Sequence, residues 1–286
     1  MGLKSHSKII LALFAIASIF WAILFFLAES SLVGDELLEN LRRFTQVPLV
    51  FVPLIGGLLG LRNAFKWGGG RSVLGRAVLG ISIGLLAWAG GMAVWNYYLF
   101  FTDIEIPYPS VADGLFILSW PLWTYGILQL SKATGARFGL HNKSGKGVLF
   151  LISGVATLAS IYVLFGVARG WSISWDEGGL KLFFDLFYPI GDIVILTLVV
   201  LVYGFSRKFL GGIYKTPVTI LFIGFLLNYT ADFIFVYTTT VETYFNGHFV
   251  DFLYTVAMFA LSFGLSMLDT DVSNLEENNA EQYKRI

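Results

Sequence analysis

The sequence predicts an all-α, polytopic integral membrane protein with about eight transmembrane helices and both termini cytoplasmic. Three observations carry the prediction. Only 13% of the 286 residues are charged and 56% are hydrophobic, whereas soluble chains carry about 25% charged residues; mean hydropathy is +0.74. Apolar runs of bilayer-spanning length recur eight times. Basic residues collect on alternate connections between those runs.

Each run holds about 16 to 26 residues, close to the ~20 that cross ~30 Å of hydrocarbon at 1.5 Å per residue. The first is placed at Ile9 to Ala28, the second at Val47 to Leu61, the third at Ala77 to Phe101 and the fourth at Ala112 to Leu130. The fifth follows at Val148 to Ala168, the sixth at Leu182 to Phe205, the seventh at Pro217 to Thr238 and the eighth at Phe252 to Leu268. Lys4 and Lys8 ahead of the first run resemble a secretory signal, but no small-residue cleavage pattern follows, so an uncleaved helix is expected. The second run is short and contains Pro48, Pro53, Gly56 and Gly57, which leaves a kinked or re-entrant helix open.

Charge decides between eight spans and seven. With eight, one side holds Lys4, Lys8, Arg62, Lys66, Arg71, Arg76, Lys132, Arg137, Lys143, Lys146, Arg207, Lys208, Lys215, Lys284 and Arg285, leaving only Arg42, Arg43, Arg169 and Lys181 opposite. That opposite side gathers Glu29, Asp35, Glu36, Glu39, Asp103, Glu105, Asp176, Glu177 and Glu242. The positive-inside rule then places both ends in the cytoplasm of a multi-pass cell-membrane protein. Residues 1–268 form one transmembrane domain, and residues 269–286 a short polar cytoplasmic tail, either solvated or a docking stub.

The lipid bilayer is the first expected partner. A formal net charge of zero implies no attraction to nucleic acid, and the absence of cysteine excludes disulfides and thiolate metal sites. Trp67, Trp95, Tyr97, Tyr98, Tyr108, Trp171, Trp175 and Tyr244 fall near expected interfaces and read mostly as anchoring aromatics. Gly80, Gly84, Gly90, Gly91, Gly154, Gly224 and Gly264 read as close helix contacts.

Five aspartates lie within or at the rims of spans: Asp113, Asp185, Asp192, Asp232 and Asp251. An ionisable group there costs at least about 2.5 kcal/mol unless it faces protein, water or a partner. Four helices bring these acids to the outer side, with Asn96 and Asn228 near the same level. Asp113 and Asp251 suit helix N-termini, and Ser110 with Asp113 has capping-box spacing. Asp232 stands near a helix C-terminus and Asp192 lies two turns below Asp185, so neither is a cap. Their alternatives are protonation by burial, hydrogen bonds from Tyr188, Tyr229, Tyr237 or Asn228, or a bound cation or polar ligand.

No catalytic constellation is present, so no enzyme and no cofactor is expected, while any metal stays unassigned. A retinal Schiff base needs a helix-buried lysine, and haem or zinc needs facing histidines; His6, His141 and His248 lie outside the spans. Gly68 to Gly70 lacks the Lys-Ser or Lys-Thr of a phosphate loop. The stretch Tyr188, Pro189, Ile190, Gly191, Asp192 lacks the first glycine of the Gly-x-Gly-Asp element of intramembrane aspartyl proteases.

Tyr108, Pro109, Ser110, Ala112 and Asp113, then Pro121 and Leu122, form one short pattern, and Tyr188, Pro189, Gly191 and Asp192 form another. With Ala231, Asp232 and Asp251 in that order, the region from Tyr108 to Leu268 resembles the N-terminal multi-helix sensor regions of bacterial and archaeal signalling proteins. The resemblance implies an input module that, in those proteins, feeds a diguanylate cyclase or histidine kinase domain. No such output domain follows Leu268 here, so the expectation is a stand-alone prokaryotic sensor or receptor-like protein acting through a cytoplasmic signalling partner. Its ligand or ion site would be an outward-facing polar pocket between the third, fourth, sixth, seventh and eighth spans, built from Asp192, Asp232, Asp185, Asp113, Asp251, Asn96, Asn228 and Tyr188. The alternatives are a cation- or proton-coupled transporter, with Asp192 holding the coupling ion, and a structural membrane scaffold.

Overall fold

The computed structural model describes residues 5–30, 32–102, 104, 106–136, 146–167, 170–171, 178–206 and 214–269. Among these residues the regular structure is entirely helical, and eight helices are long and apolar enough to cross a membrane. In chain order they are α1 (Ser5–Ser30), α2 (Asp35–Arg43) running into α3 (Val47–Lys66), α4 (Val73–Phe101), α5 (Val111–Ala133), α6 (Lys146–Ile161), α7 (Gly179–Ser206), α8 (Lys215–Thr240) and α9 (Phe249–Met267). A π-helical turn, Tyr162–Val167, extends α6.

The run containing Pro53 is one continuous helix rather than a re-entrant hairpin. Pro48 sits in its first turn, where the missing N–H has no intrahelical partner to lose, and Pro53 leaves a single carbonyl without its usual donor. Ahead of it the charged stretch Asp35–Arg43, in the connection between the first and second expected spans, forms α2 with acids in its first turn and arginines in its last. A 3-10 turn, Phe44–Gln46, joins the two into one 32-residue element. The helix stops where Gly68 adopts φ +85, a conformation that costs glycine little and other residues more. Ser72 then starts α4 by accepting a hydrogen bond from the Gly75 amide at 2.8 Å.

Six helices close a ring in the order α3, α4, α5, α7, α8, α9 and back to α3. Helix α1 lies outside, against α9 and α3, and α6 lies outside, against α7. These two carry many of the exposed large apolar side chains, among them Ile16, Ile19, Phe26, Leu151 and Leu158. Small residues let α4 and α5 approach: a Cβ on Gly80 would stand 3.0 Å from the Gly126 amide nitrogen and the Leu122 carbonyl oxygen. Gly224 and Gly264 do the same between α8 and α9, whereas Gly154 has nothing within 4 Å.

One end of the bundle, here called the base, is where α1 begins and α9 finishes. There the Ser7 and Ser266 hydroxyls lie 3.0 Å apart, Lys66 Nζ meets Asp269 Oδ1 at 2.9 Å, and His6 Nε2 meets Asp269 Oδ2 at 3.3 Å. Asn63 Nδ2 and Trp67 Nε1 donate to the Leu265 and Leu268 carbonyls, both at 2.9 Å. The last turn of α9 is thereby tied to α3. Of the expected tail, residues 269–286, Asp269 is held at the base in this way, and residues 270–286 lie outside the described residues.

Candidate functional site

Within the ring, in the half away from the base, lies a cavity of about 400 Å³. Its walls come from Gln46 and Leu49, from Trp88, Met92 and Trp95 of α4, and from Asp113, Phe116, Trp120 and Trp123 of α5. Tyr188, Pro189 and Asp192 of α7, Asn228, Asp232 and Phe235 of α8, and Asp251 and Tyr254 of α9 complete them, with Tyr108, Phe165, Val236, Thr239, Thr240 and Tyr244 toward the helix ends. No lysine, arginine or histidine is among these lining residues.

Asp113 opens α5 through a complete capping box. Its Oδ2 accepts from the Ser110 amide at 2.7 Å and from the Ser110 hydroxyl at 3.0 Å, and its Oδ1 accepts from Tyr188 Oη of α7 at 2.8 Å. Asp251, in the first turn of α9, also holds three donors: Gln46 Nε2 at 2.7 Å, the Gly247 amide at 2.8 Å and Tyr244 Oη at 3.0 Å. Tyr244 belongs to the connection between α8 and α9. Burial, then the adjacent Asp251 charge and the hydrogen bond to it, push its phenol well above the ordinary range.

The deeper pair is less saturated. Asp232 accepts from Asn228 Nδ2 and from Tyr254 Oη of α9, both at 2.6 Å. Asp192, midway along α7 and only 5% exposed, accepts Trp120 Nε1 from α5 at 3.1 Å. Asp192 and Asp232, on the neighbouring helices α7 and α8, line the same cavity. Gly191 makes room for Trp120: a Cβ there would lie 2.9 Å from indole atoms Cγ and Cδ2. Asn228 is 4% exposed, and its Oδ1 has no hydrogen-bond partner; Trp95 Nε1 is likewise buried and unmatched. Among the described residues no three histidine, aspartate or glutamate side chains converge as a metal site requires.

Of the residues singled out from sequence, Asp113, Asp192, Asp232, Asp251, Asn228 and Tyr188 meet around one cavity. Asn96 does not line it; its Nδ2 donates to the Met92 and Gln46 carbonyls at 2.8 and 3.2 Å and joins α4 to the turn before α3. Asp185 lies on α7, and its side chain is outside the described residues, as is Trp175. Tyr188 serves Asp113 rather than either deep acid, Tyr229 bonds Ser160, and Tyr237 is exposed. The expected pocket omitted α3, which supplies Leu49, and the turn before it, which supplies Gln46. Trp95, Tyr108 and Tyr244, read as anchors, line the cavity instead, while Tyr97 and Trp171 are exposed. Gln46, Trp120 and Tyr254, which hold three of the carboxyls, were not singled out. Compared with protein-family models, curated proteins and solved structures, the chain matches none.

Proposed function

We propose that this protein is a multi-pass cell-membrane sensor or receptor, with both termini cytoplasmic, whose ligand site is the cavity at the extracytoplasmic half of the helix ring. One observation carries the reading. Carboxyls from α5, α7, α8 and α9 surround a space of ligand size, with two buried polar atoms left unmatched beside it. A scaffold that used its aspartates only to join helices would fill that space with side chains. The arginines and lysines at the base, against the acids at the other end, support the orientation through the positive-inside rule. Residues 1–268 act as one transmembrane domain and residues 269–286 as its cytoplasmic tail, in the manner of the multi-helix input modules that the sequence resembles.

A ligand held between α5, α7, α8 and α9 would favour one arrangement of the ring over another, and by no more than its difference in affinity for the two. Helix α9 touches the cavity at Asp251 and Tyr254 and reaches the base at Leu268, so its displacement would pass to the tail and a signalling partner. The test uses the lack of native cysteine. Spin labels placed on α9 and α3 at the base are measured by pulsed electron resonance in nanodiscs, with and without ligands found by thermal-shift screening. A ligand-dependent change in the distance distribution, absent in Asp192→Asn, is expected. Binding with an unchanged distribution would sink the sensor reading.

The placing of Asp192 and Asp232 on neighbouring helices of one cavity favours a second reading, proton- or cation-coupled transport, because buried carboxyls within spans mark proton and cation paths. Uptake into proteoliposomes separates the two readings, since a sensor gives none.

A further inference from the structure

We infer that the ligand of this cavity is a small organic ammonium ion bearing at least one N–H and an apolar body. The inference rests on the reading of the cavity as a ligand site and names what that site selects.

The charge of the walls has one sign. Among the described residues, every hydrogen-bond donor to Asp113, Asp192, Asp232 and Asp251 is neutral: an amide, a hydroxyl or an indole. A cation is the complement still missing. Spare acceptor capacity then locates it. A carboxylate offers about four lone-pair sites; Asp113 and Asp251 each receive three donors, whereas Asp192 receives one protein N–H. Asn228 stands one turn from Asp232, and because its Nδ2 is committed to that carboxyl, the unmatched atom is the acceptor Oδ1. An acceptor buried next to carboxyls calls for an N–H donor. Anions and pure acceptors fail the demand of Oδ1, and a quaternary ammonium, which has no N–H, leaves it unmet; the unmatched Trp95 Nε1, on α4, asks separately for an acceptor, which water can supply.

The rest of the wall argues for carbon rather than a bare metal ion. Trp88, Trp120 and Tyr254 line the same space, and aromatic faces attract ammonium groups while burying the apolar body attached to them. No three metal-ligating side chains converge among the described residues.

Isothermal titration of the full-length protein in detergent at neutral pH, with four probes of nearly one shape, tests this. The probes are phenethylammonium, 2-phenylethanol, 3-phenylpropionate and phenethyltrimethylammonium. Phenethylammonium should bind about tenfold or more tightly than the alcohol or the quaternary ion, a gap of about 1.4 kcal/mol, and 3-phenylpropionate should not bind. In Asp192→Asn the preference for ammonium over alcohol should vanish, with the alcohol's affinity kept. Should that variant fail to fold, the four probes on the native protein decide alone. Equal or tighter binding of the alcohol, the carboxylate or the quaternary ion overturns the ammonium assignment and leaves a ligand site of another class. Binding by none of the four overturns both the assignment and the reading of the cavity. Ammonium binding without movement at the base upholds the assignment and rejects the sensor.

Discussion

Replacing Gly191 by alanine adds one methyl group where α7 meets Trp120. The new Cβ would stand 2.9 Å from Cγ and Cδ2 of the indole and 3.3 Å from Cδ1, whereas carbon pairs settle at about 3.5 to 4.0 Å. Trp120 would have to retreat by about 0.6 to 1 Å. It has little room, being buried and set edge-on to the Tyr188 ring with centroids 4.9 Å apart. The retreat stretches its 3.1 Å bond to Asp192 toward rupture. Overpacking costs about 1 to 3 kcal/mol, and a buried carboxyl that loses a donor adds about 1 to 3 kcal/mol. The better helix propensity of alanine offsets about 1 kcal/mol. The net destabilisation centres on about 3 kcal/mol, or roughly 6 to 12 °C in melting temperature. Thermal melts of the purified protein would read it, with Gly154→Ala as the control that meets no neighbour. Trp120→Phe shrinks the ring and relieves the collision, so the double variant should lose about 1 to 2 kcal/mol less than the sum of the single losses. Strict additivity, or a Gly191→Ala protein that melts with the native one, would refute the steric account.

Tyr254→Phe removes one of the two neutral donors to Asp232 and should cost about 1 to 3 kcal/mol; exposed Tyr237→Phe, assayed by the same melts, should cost nothing measurable. Asp269→Asn weakens the pairing with Lys66 and His6 at the base, and hydrogen exchange should quicken in the last turn of α9 while the cavity-facing turns stay protected. His248 caps α9 through Nδ1, which accepts the Val250 amide at 3.4 Å, and burial against Phe245 and Phe249 lowers its pKa below the ordinary 6.5. The neutral ring is therefore the folded form. Its contribution is complete above pH 6.5 and is lost as pH falls through the lowered value, because protonation removes the acceptor and puts a cation at a helix N-terminus. Amide exchange at Val250 should rise in that acid range, and His248→Asn should remove the dependence.

The helices were legible because length and apolarity suffice to define them, and Ile9 to Ala28 or Ala77 to Phe101 each fall inside an observed helix. Helix α2 was not, since Leu37, Leu38 and Leu41 are outnumbered by five charged neighbours and form no spanning run. The acids of the cavity stood out because an aspartate in an apolar segment is costly enough to demand an account. Their partners did not. Whether Trp120 or Trp123 faces α7 depends on helix rotation, and the donation of Gln46 to Asp251 depends on α3 lying beside α9, a pairing between residues 205 positions apart. Trp95 and Tyr108 illustrate the same gap, because the sequence gives the level of an aromatic residue along the bundle but not the direction it points.

The ring closes through α9, and this fixes an order of assembly. Asn63 meets its acceptor, the Leu265 carbonyl, 202 residues later, and the Val52 carbonyl waits 210 residues for the Ser262 hydroxyl. A ribosome therefore finishes α3, α4 and α5 long before the helix that seals them is made. Until α9 arrives, Gln46 and Asn63 face an unfilled seam, and Asp232 lacks Tyr254. The nascent ring is an open cleft whose polar wall needs cover, from a second copy, a chaperone or water, and the cavity cannot close until Asp251 and Tyr254 have been made.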